Sequence, residues 1–382
     1  MTSSTPNPCV FMNLTVSSTE KMLLALLRMA LHGRVENDIP WDRLPDAAWA
    51  HCYQLAARQG VMTLAWEGIQ RLPGECPLPR TLKLTWAIAV EEYEKRYVRY
   101  CQAAAELQAL YARHGIAMVQ LKGVGLSAIY PTPSHREGGD IDIYTWSANP
   151  EVLTDKAAND LANELMQQQG IDVDTEHSAK HSNFYYKGIP IENHRTFLNV
   201  SMYRVAAPMN DLLHRLLKPE ATALCDGAYT VHTPGAEFNA LFLPFHAAQH
   251  YGNGIRLHHL VDWACLLMRH GWCLPAEVKN ERLLRFIGAL TTLSNQLLGT
   301  KVEPPFATDE QMLKELCDQM LHPRYDRAIP IKGKVRILWH KTCRFFHEHR
   351  LLNTVFEDAS IGRAIVHSVK YHIEKPETIL KV

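Results

Sequence analysis

The feature that most constrains this chain is a change in its hydrophobic period. From about Ser18 to Gly115 the apolar residues recur at helical spacing, as in STEKMLLALLRMAL, LPDAAWAHCYQLAARQG and the long run from Arg80 to Gly115. At Ile116 the pattern shortens. IAMVQL is a brief apolar run bounded by glycine, and DIDIYTW alternates with period two. IDVDTEHS, HSNFYYKG and IPIENHRTF continue as strand-like segments, with Lys187-Gly188 as a hairpin turn. After about Asn199 helical spacing returns in MNDLLHRLLK, GAEFNALFLPFHAAQHYG, HHLVDWACLLMRHG and NERLLRFIGALTTLSNQLLG, with a last block from Lys332 to Leu352. This order predicts an α+β chain. A small mixed-sheet core at 116–199 is inserted between an N-terminal helical region at 16–115 and a C-terminal helical region at 200–382, with 1–15 as a flexible tail.

Local signals place some ends. Ser18 or Thr19 is the expected cap of the first helix, and Gly60 the residue that closes the second. GVGLSAIY has the length of a short helix after a glycine turn, and PTPSHREGG reads as a loop. In NPEVLTDKAANDLANELMQQQG, Asn149 is the expected N-cap, Pro150 the first helical residue and Gly170 the stop.

Composition narrows the setting. Hydrophobic residues make up 47% and charged residues 21%, as in an ordinary globular chain. The formal net charge of zero argues against a polyanion binder acting through its whole surface. The nine cysteines form no Cys-x-x-Cys pair, which suits buried free thiols in a reducing cytoplasm. The N-terminus lacks the basic stretch and apolar core of a secretory signal. No apolar run reaches the roughly 18 residues of a membrane span. A cytoplasmic location is expected.

Within this frame Asp140 and Asp142 stand out. Side chains two apart on a strand face the same way, so the two carboxylates project together while Ile141 and Ile143 face a core. Like charges this close repel and raise each other's pKa. A divalent cation relieves the repulsion, and Mg²⁺ binds through one or two carboxylates together with water and substrate phosphates. Glu192, in a strand-like run with Ile189 and Ile191 on its other face, is the third candidate. Three carboxylates can hold two metals about 3.5–4 Å apart, as in two-metal polymerases. Carboxylates on strands opposite a glycine turn therefore point to phosphoryl or nucleotidyl transfer. The backbone N–H groups of Gly123 and Gly125 would approach the triphosphate, and Lys122 and Arg136 would neutralise it.

The residues Leu121-Lys122-Gly123, Tyr130-Pro131, Arg136, Gly139-Asp140-Ile141-Asp142 and Glu192 with His194 occur in an order that resembles the bacterial putative nucleotidyltransferase family of the DNA polymerase β-like superfamily. A later stretch with His246, His250, Arg256 and Asp262 resembles that family's helical segment, so the likeness spans roughly residues 80–270. It departs where Val124 follows Gly123 and where Arg195 stands in place of the commoner tryptophan. The resemblance implies a Mg²⁺- (or Mn²⁺-) dependent enzyme that moves a nucleoside monophosphate from an NTP, such as ATP, to a hydroxyl acceptor. Asp140 and Asp142 would bind both metals, and Glu192 would complete the first site and help deprotonate the acceptor. The alternatives are a catalytically silent nucleotide- or partner-binding relative, and a toxin-like enzyme that nucleotidylates RNA or protein.

Two further features are weighed. His246 and His250 have the i, i+4 spacing of a zinc pair, but Ala-Ala-Gln between them lacks a metalloprotease glutamate, and they are read as core or interdomain histidines. From Pro323 to Arg350 the chain carries Arg324, Arg327, Lys332, Lys334, Arg336, Lys341, Arg344 and Arg350, interleaved with Trp339, Phe345 and Phe346. A solvated amphipathic helix is the favoured reading there, over an RNA or anionic-lipid site.

Overall fold

The computed structural model describes residues 14, 16–74, 78–176, 178–252, 254–323, 333–357, 361, 362, 365, 366 and 369. The tail expected at 1–15 lies, Leu14 apart, outside the described residues, as do Arg324, Arg327 and Lys332 of the basic block.

Four helices come first: α1 (Ser18–His32), α2 (Asp46–Gln59), α3 (Met62–Gln70) and the 33-residue α4 (Arg80–Ala112). The cap of α1 is Ser17, not Ser18 or Thr19. Ser17 Oγ accepts the Glu20 amide at 3.3 Å while Glu20 accepts the Ser17 amide at 2.7 Å, and this reciprocal pair fixes the start. Gly60, at φ 66°, closes α2.

A five-stranded mixed sheet follows, built from β1 (Ile116–Gln120), β2 (Ile141–Ser147), β3 (Val173–Asp174), β4 (His181–Tyr186) and β5 (Ile189–His194), in the order β1-β2-β5-β4-β3. β2 and β5 run parallel, and the other neighbours are antiparallel. The β4–β5 hairpin turns at Lys187 (φ 52°) and Gly188 (φ 76°), the positive pair that a two-residue turn of matching twist needs. The strand expected across IDVDTEHS shrinks to two residues. The turn after β1 is a 3-10 helix from Gly123 to Ile129.

Helix α5 (Asp155–Gln168) starts later than expected. Thr154 caps it, accepting the Ala157 amide at 3.2 Å. Asn149 instead accepts the Glu151 amide at 3.1 Å in a local turn, a competing use for a short polar side chain.

C-terminal to the sheet lie α6 (Ala206–Leu216), α7 (Ala236–His250), α8 (Leu257–His270), α9 (Glu281–Leu298), α10 (Glu310–Leu321) and α11 (Lys334–Val355). The return to helices after Asn199 is interrupted by a second hairpin, β6 (Pro219–Leu224) and β7 (Tyr229–Pro234). Cys225, Asp226 and Gly227 turn it with φ of 50°, 53° and 88°, and it packs on β1 and α4. The Asp-Gly pair and the alternation of Tyr229, Val231 and Thr233 are its sequence signature.

The sheet separates two cores. Ile141, Ile143 and Ile191 pack with α4 and α5 residues such as Tyr97, Leu107, Ala158 and Met166. Val119, Leu121 and Tyr144 face the helical core shared by α1–α3 and α6–α10. Strand alternation therefore sends Asp142 toward the helices that follow the sheet. Among the described residues no helix is long and apolar enough to cross a membrane.

Candidate active site

Register brings the carboxylates together. In the parallel β2–β5 pair Asp142 lies opposite Glu192. Asp140 sits in the bend just before β2. Burial and the nearby Asp142 and Glu192 charges raise its pKa, while Lys122 pulls the other way. Asp140 is thus near enough to be influenced electrostatically, but it precedes the strand on which alternation is expected to set its direction, and it is not one of the residues whose ligand atoms meet within 4.8 Å.

Asp142 is fully buried. Its Oδ1 lies 3.2 Å from Lys122 Nζ and 3.0 Å from His194 Nε2. Its Oδ2 is buried with no hydrogen-bond partner. Burial pushes the carboxyl up, but the Lys122 ammonium and His194 outweigh it and hold Asp142 well below the usual carboxylate range. Burial disfavours the Lys122 charge, yet Asp142, Asp140 and Glu192 together raise its pKa.

Glu192 is the more accessible partner, its side chain 28% exposed. Burial raises its pKa, and His194 and His181 more than offset that and the Asp142 repulsion, so it is lowered overall. Its Oε2 lies 3.5 Å from His194 Nε2. It also lies 3.4 Å from His181 Nδ1, without hydrogen-bond geometry. His194 Nδ1 faces the Thr196 carbonyl at 3.3 Å. A carbonyl only accepts, so Nδ1 donates there and holds the ring from behind, while Nε2 donates to the Asp142 carboxylate, a proton whose place a bound cation would take.

The set passes a test of fit for a divalent cation. An anionic oxygen buried without any donor is costly. Here the orphaned Asp142 Oδ2 sits in a group whose Asp142, Glu192 and His194 ligand atoms all lie within 4.8 Å of one another.

The expected phosphate-binding residues fare unequally. Lys122 stands in the site, paired with Asp142. Gly123 has φ 66°, and a Cβ there would meet the Asp140 carbonyl at 3.2 Å. A Cβ at Gly125 would meet the Gln120 carbonyl at 3.0 Å and Thr233 Cγ2 at 3.1 Å, so protein already fills the space that this glycine leaves. Arg136 has its fork committed elsewhere. Its Nε and Nη2 donate to Asp262 Oδ1 and Oδ2 at 2.9 and 2.8 Å. Asp262 also accepts from Tyr130 at 2.5 Å, so it fastens the loop to α8.

Sequence reasoning missed Lys180. Burial and the neighbouring Lys122 lower its pKa, against the attraction of Asp142, Glu192 and Asp140. A second cation is therefore gathered beside the carboxylates. It follows a loop, outside any periodic pattern, and its clearest sequence signal is its position directly before His181. Two described residues of the basic block pair locally. Arg344 lies 3.4 Å from Glu348 and Arg350 lies 2.8 Å from Glu315. On α11, Leu338, Trp339 and Phe346 are exposed, while His349, Leu351, Leu352 and Val355 are buried.

With this geometry in view, comparison with known proteins places the chain in a class, the nucleotidyltransferases. It belongs to the family described as uncharacterised nucleotidyltransferase, whose model matches residues 45–299. Among solved structures it is similar to an antigenic nucleotidyltransferase-like protein from Paracoccidioides brasiliensis, at 12% identity and a TM-score of 0.34, over 53% of this chain and 94% of that one. No curated protein matches it.

Proposed function

We propose that this chain transfers a nucleoside monophosphate from an NTP to a hydroxyl acceptor and releases pyrophosphate, with Mg²⁺ or Mn²⁺ as cofactor. The observation that carries this reading is the meeting of Asp142, Glu192 and His194, whose ligand atoms lie within 4.8 Å of one another, with Oδ2 of Asp142 buried and without a hydrogen-bond partner. Asp142, Glu192 and His194 would hold the cation, with Asp140 beside them. A bound divalent cation supplies Lewis-acid polarisation of the phosphoryl oxygen and neutralises the developing charge.

The chain's own residues do the rest. The acceptor oxygen forms a bond to the α-phosphorus, and the bond from that phosphorus to the bridging oxygen of the β-phosphate breaks. The acceptor proton passes to Glu192, whose carboxylate is partly exposed where that of Asp142 is fully buried. His194 orients both carboxylates. Lys122 and Lys180 offset the charge of the triphosphate and of the departing pyrophosphate. Gly139, next to Asp140, borders a cavity of about 510 Å³ lined by Arg96, Arg99 and Tyr100, whose cationic wall suits an anionic portion of a substrate. Positioning and charge compensation supply most of the rate enhancement in such a site.

The test uses each NTP labelled at the α- or the γ-phosphate, with a cell extract as the source of acceptors. Transfer of α-label, with γ-label appearing in pyrophosphate, is expected, and it should vanish with chelator. Transfer of γ-label would mark a kinase and overturn the reading, as would no transfer from any NTP.

A further inference from the structure

Three imidazoles meet where α7 ends and α8 begins. His246 and His250 lie one turn apart on α7, and His259 comes from the first turn of α8. A ligand nitrogen from each lies within 4.8 Å of the other two. The ring centroids are 4.7 Å apart for His246 and His250, 4.9 Å for His250 and His259, and 5.6 Å for His246 and His259. A tetrahedral ion with metal–nitrogen bonds of about 2.0–2.1 Å holds ring centres about 3 Å out, and therefore about 5 Å from one another. The observed spacings bracket that value.

The protonation state fits as well. Burial, reinforced by Lys122 and neighbouring imidazoles, pushes His246 and His259 well below the ordinary histidine range. Neutral rings keep the lone pair that a metal needs.

We propose that His246, His250 and His259 form a nitrogen-only site for a divalent transition ion of the zinc class, separate from the oxygen-rich carboxylate centre. Imidazole selects zinc, cobalt and nickel, whereas Mg²⁺ takes oxygen ligands, so the two centres sort cations by ligand chemistry. Three protein ligands leave a fourth position open to water or to an anionic group of a substrate. One contact opposes binding. The Arg256 amide donates to His259 Nδ1 at 3.1 Å. Ligation through Nδ1 replaces that bond, and ligation through Nε2 moves the ring proton to Nδ1, so the site is weaker than a closed structural zinc site. The third histidine is what changes the sequence reading of His246 and His250, and it is brought in by the α7–α8 turn rather than by local spacing.

Chelator-stripped full-length protein is titrated with Co²⁺ and followed by visible absorption, then back-titrated with Zn²⁺ in a calorimeter. One equivalent of four-coordinate cobalt, displaced by zinc, is expected. His246→Gln and His259→Gln should each weaken zinc binding by more than about 100-fold, beyond what loss of an outer-shell partner costs. The double variant Asp142→Asn with Glu192→Gln should retain the equivalent. A six-coordinate cobalt spectrum overturns the proposal, and so does an equivalent that survives His246→Gln but is lost in the carboxylate variant. X-ray absorption of the zinc-loaded wild type guards against misfolded variants: a shell of three imidazoles supports the site, and an oxygen-only shell overturns it. These readouts report metal binding alone, so nucleotide transfer can fail while this site stands.

Discussion

Two buried charge networks flank the loop between β1 and β2, and they differ in completeness. In the first, Arg136 clamps Asp262 through two parallel hydrogen bonds of 2.9 and 2.8 Å, and Tyr130 adds a third donor at 2.5 Å. Both carboxylate oxygens are satisfied. In the second, Lys122 and His194 converge on one oxygen of Asp142, and the other oxygen has no donor. The ingredients are alike: a buried carboxylate, a basic side chain and a third polar group. The closed network is saturated and fastens the loop to α8. The open one has one partner too few, and a ligand can supply it. A buried carboxylate with both oxygens satisfied costs little to keep, whereas one left with an unpaired oxygen is costly unless a further partner is supplied.

Substitution is the most direct way to test the contrast. Asp142→Asn should lower nucleotidyl transfer by about 10³-fold or more, the scale on which loss of a charge-stabilising group is felt. The same variant should leave the urea midpoint close to wild type, because Asp140 and Glu192 still compensate Lys122. Equal losses of activity and stability would break the comparison.

Asp262→Asn should do the reverse. It leaves the Arg136 guanidinium buried beside a neutral group, and removal of one partner of a buried pair costs about 3–5 kcal/mol. Chemical denaturation measures this directly, and a midpoint unchanged from wild type would deny the closed network its structural role.

Gly125→Ala sharpens the boundary between the networks. Its methyl group would press on the Gln120 carbonyl and Thr233, with an expected loss of about 1–3 kcal/mol in stability. A raised KM for NTP with unchanged stability would instead return this glycine to the triphosphate. Lys180→Met tests the opposite side of the site. KM for NTP should rise by about tenfold, equivalent to about 1.4 kcal/mol, with the fold intact. An unchanged KM would remove Lys180 from the phosphate path.

The smallest effect concerns pH. His135 anchors the loop, lying 3.1 Å from Glu67 and 3.1 Å from Glu94. Burial disfavours its charge, but the two carboxylates win and its pKa is raised. The resulting stability is fully present below the unfolded histidine value of about 6.5 and is lost as pH rises through the folded value. The stability gap between wild type and His135→Gln should therefore narrow with increasing pH above about 6.5, read from urea midpoints across a pH series. A gap that widens over that interval would show that the imidazolium is not what holds the loop.

Much of this layout was legible in the sequence because it is local. The period-two pattern puts Ile141 and Ile143 on one face and Asp142 on the other, and the Lys187-Gly188 turn fixes the β4–β5 register that orients Glu192. The first-turn glutamate, not the first serine of the helical pattern, decided where α1 begins. What stayed hidden is long-range. Nothing near Arg136 announces that Asp262 will occupy its fork, and nothing near His246 announces His259. The β6–β7 hairpin carried a local signal in Asp226-Gly227, overridden by the helical segments on either side of it.

The parallel pairing of β2 and β5 also has a consequence for the order of assembly. Parallel neighbours cannot be joined by a tight turn, so the chain crosses through α5, β3 and β4 before β5 comes to lie beside β2. Asp142 and Glu192 thus come from distant parts of the sequence, and loop closure must be achieved before their contact forms. A nascent chain that has emerged only as far as Ser147 carries both aspartates but neither Glu192 nor His194. The meeting of Asp142 with Glu192 and His194 therefore requires β5 to insert between β2 and β4, so the arrangement proposed to hold a cation depends on completion of the sheet rather than on either strand alone.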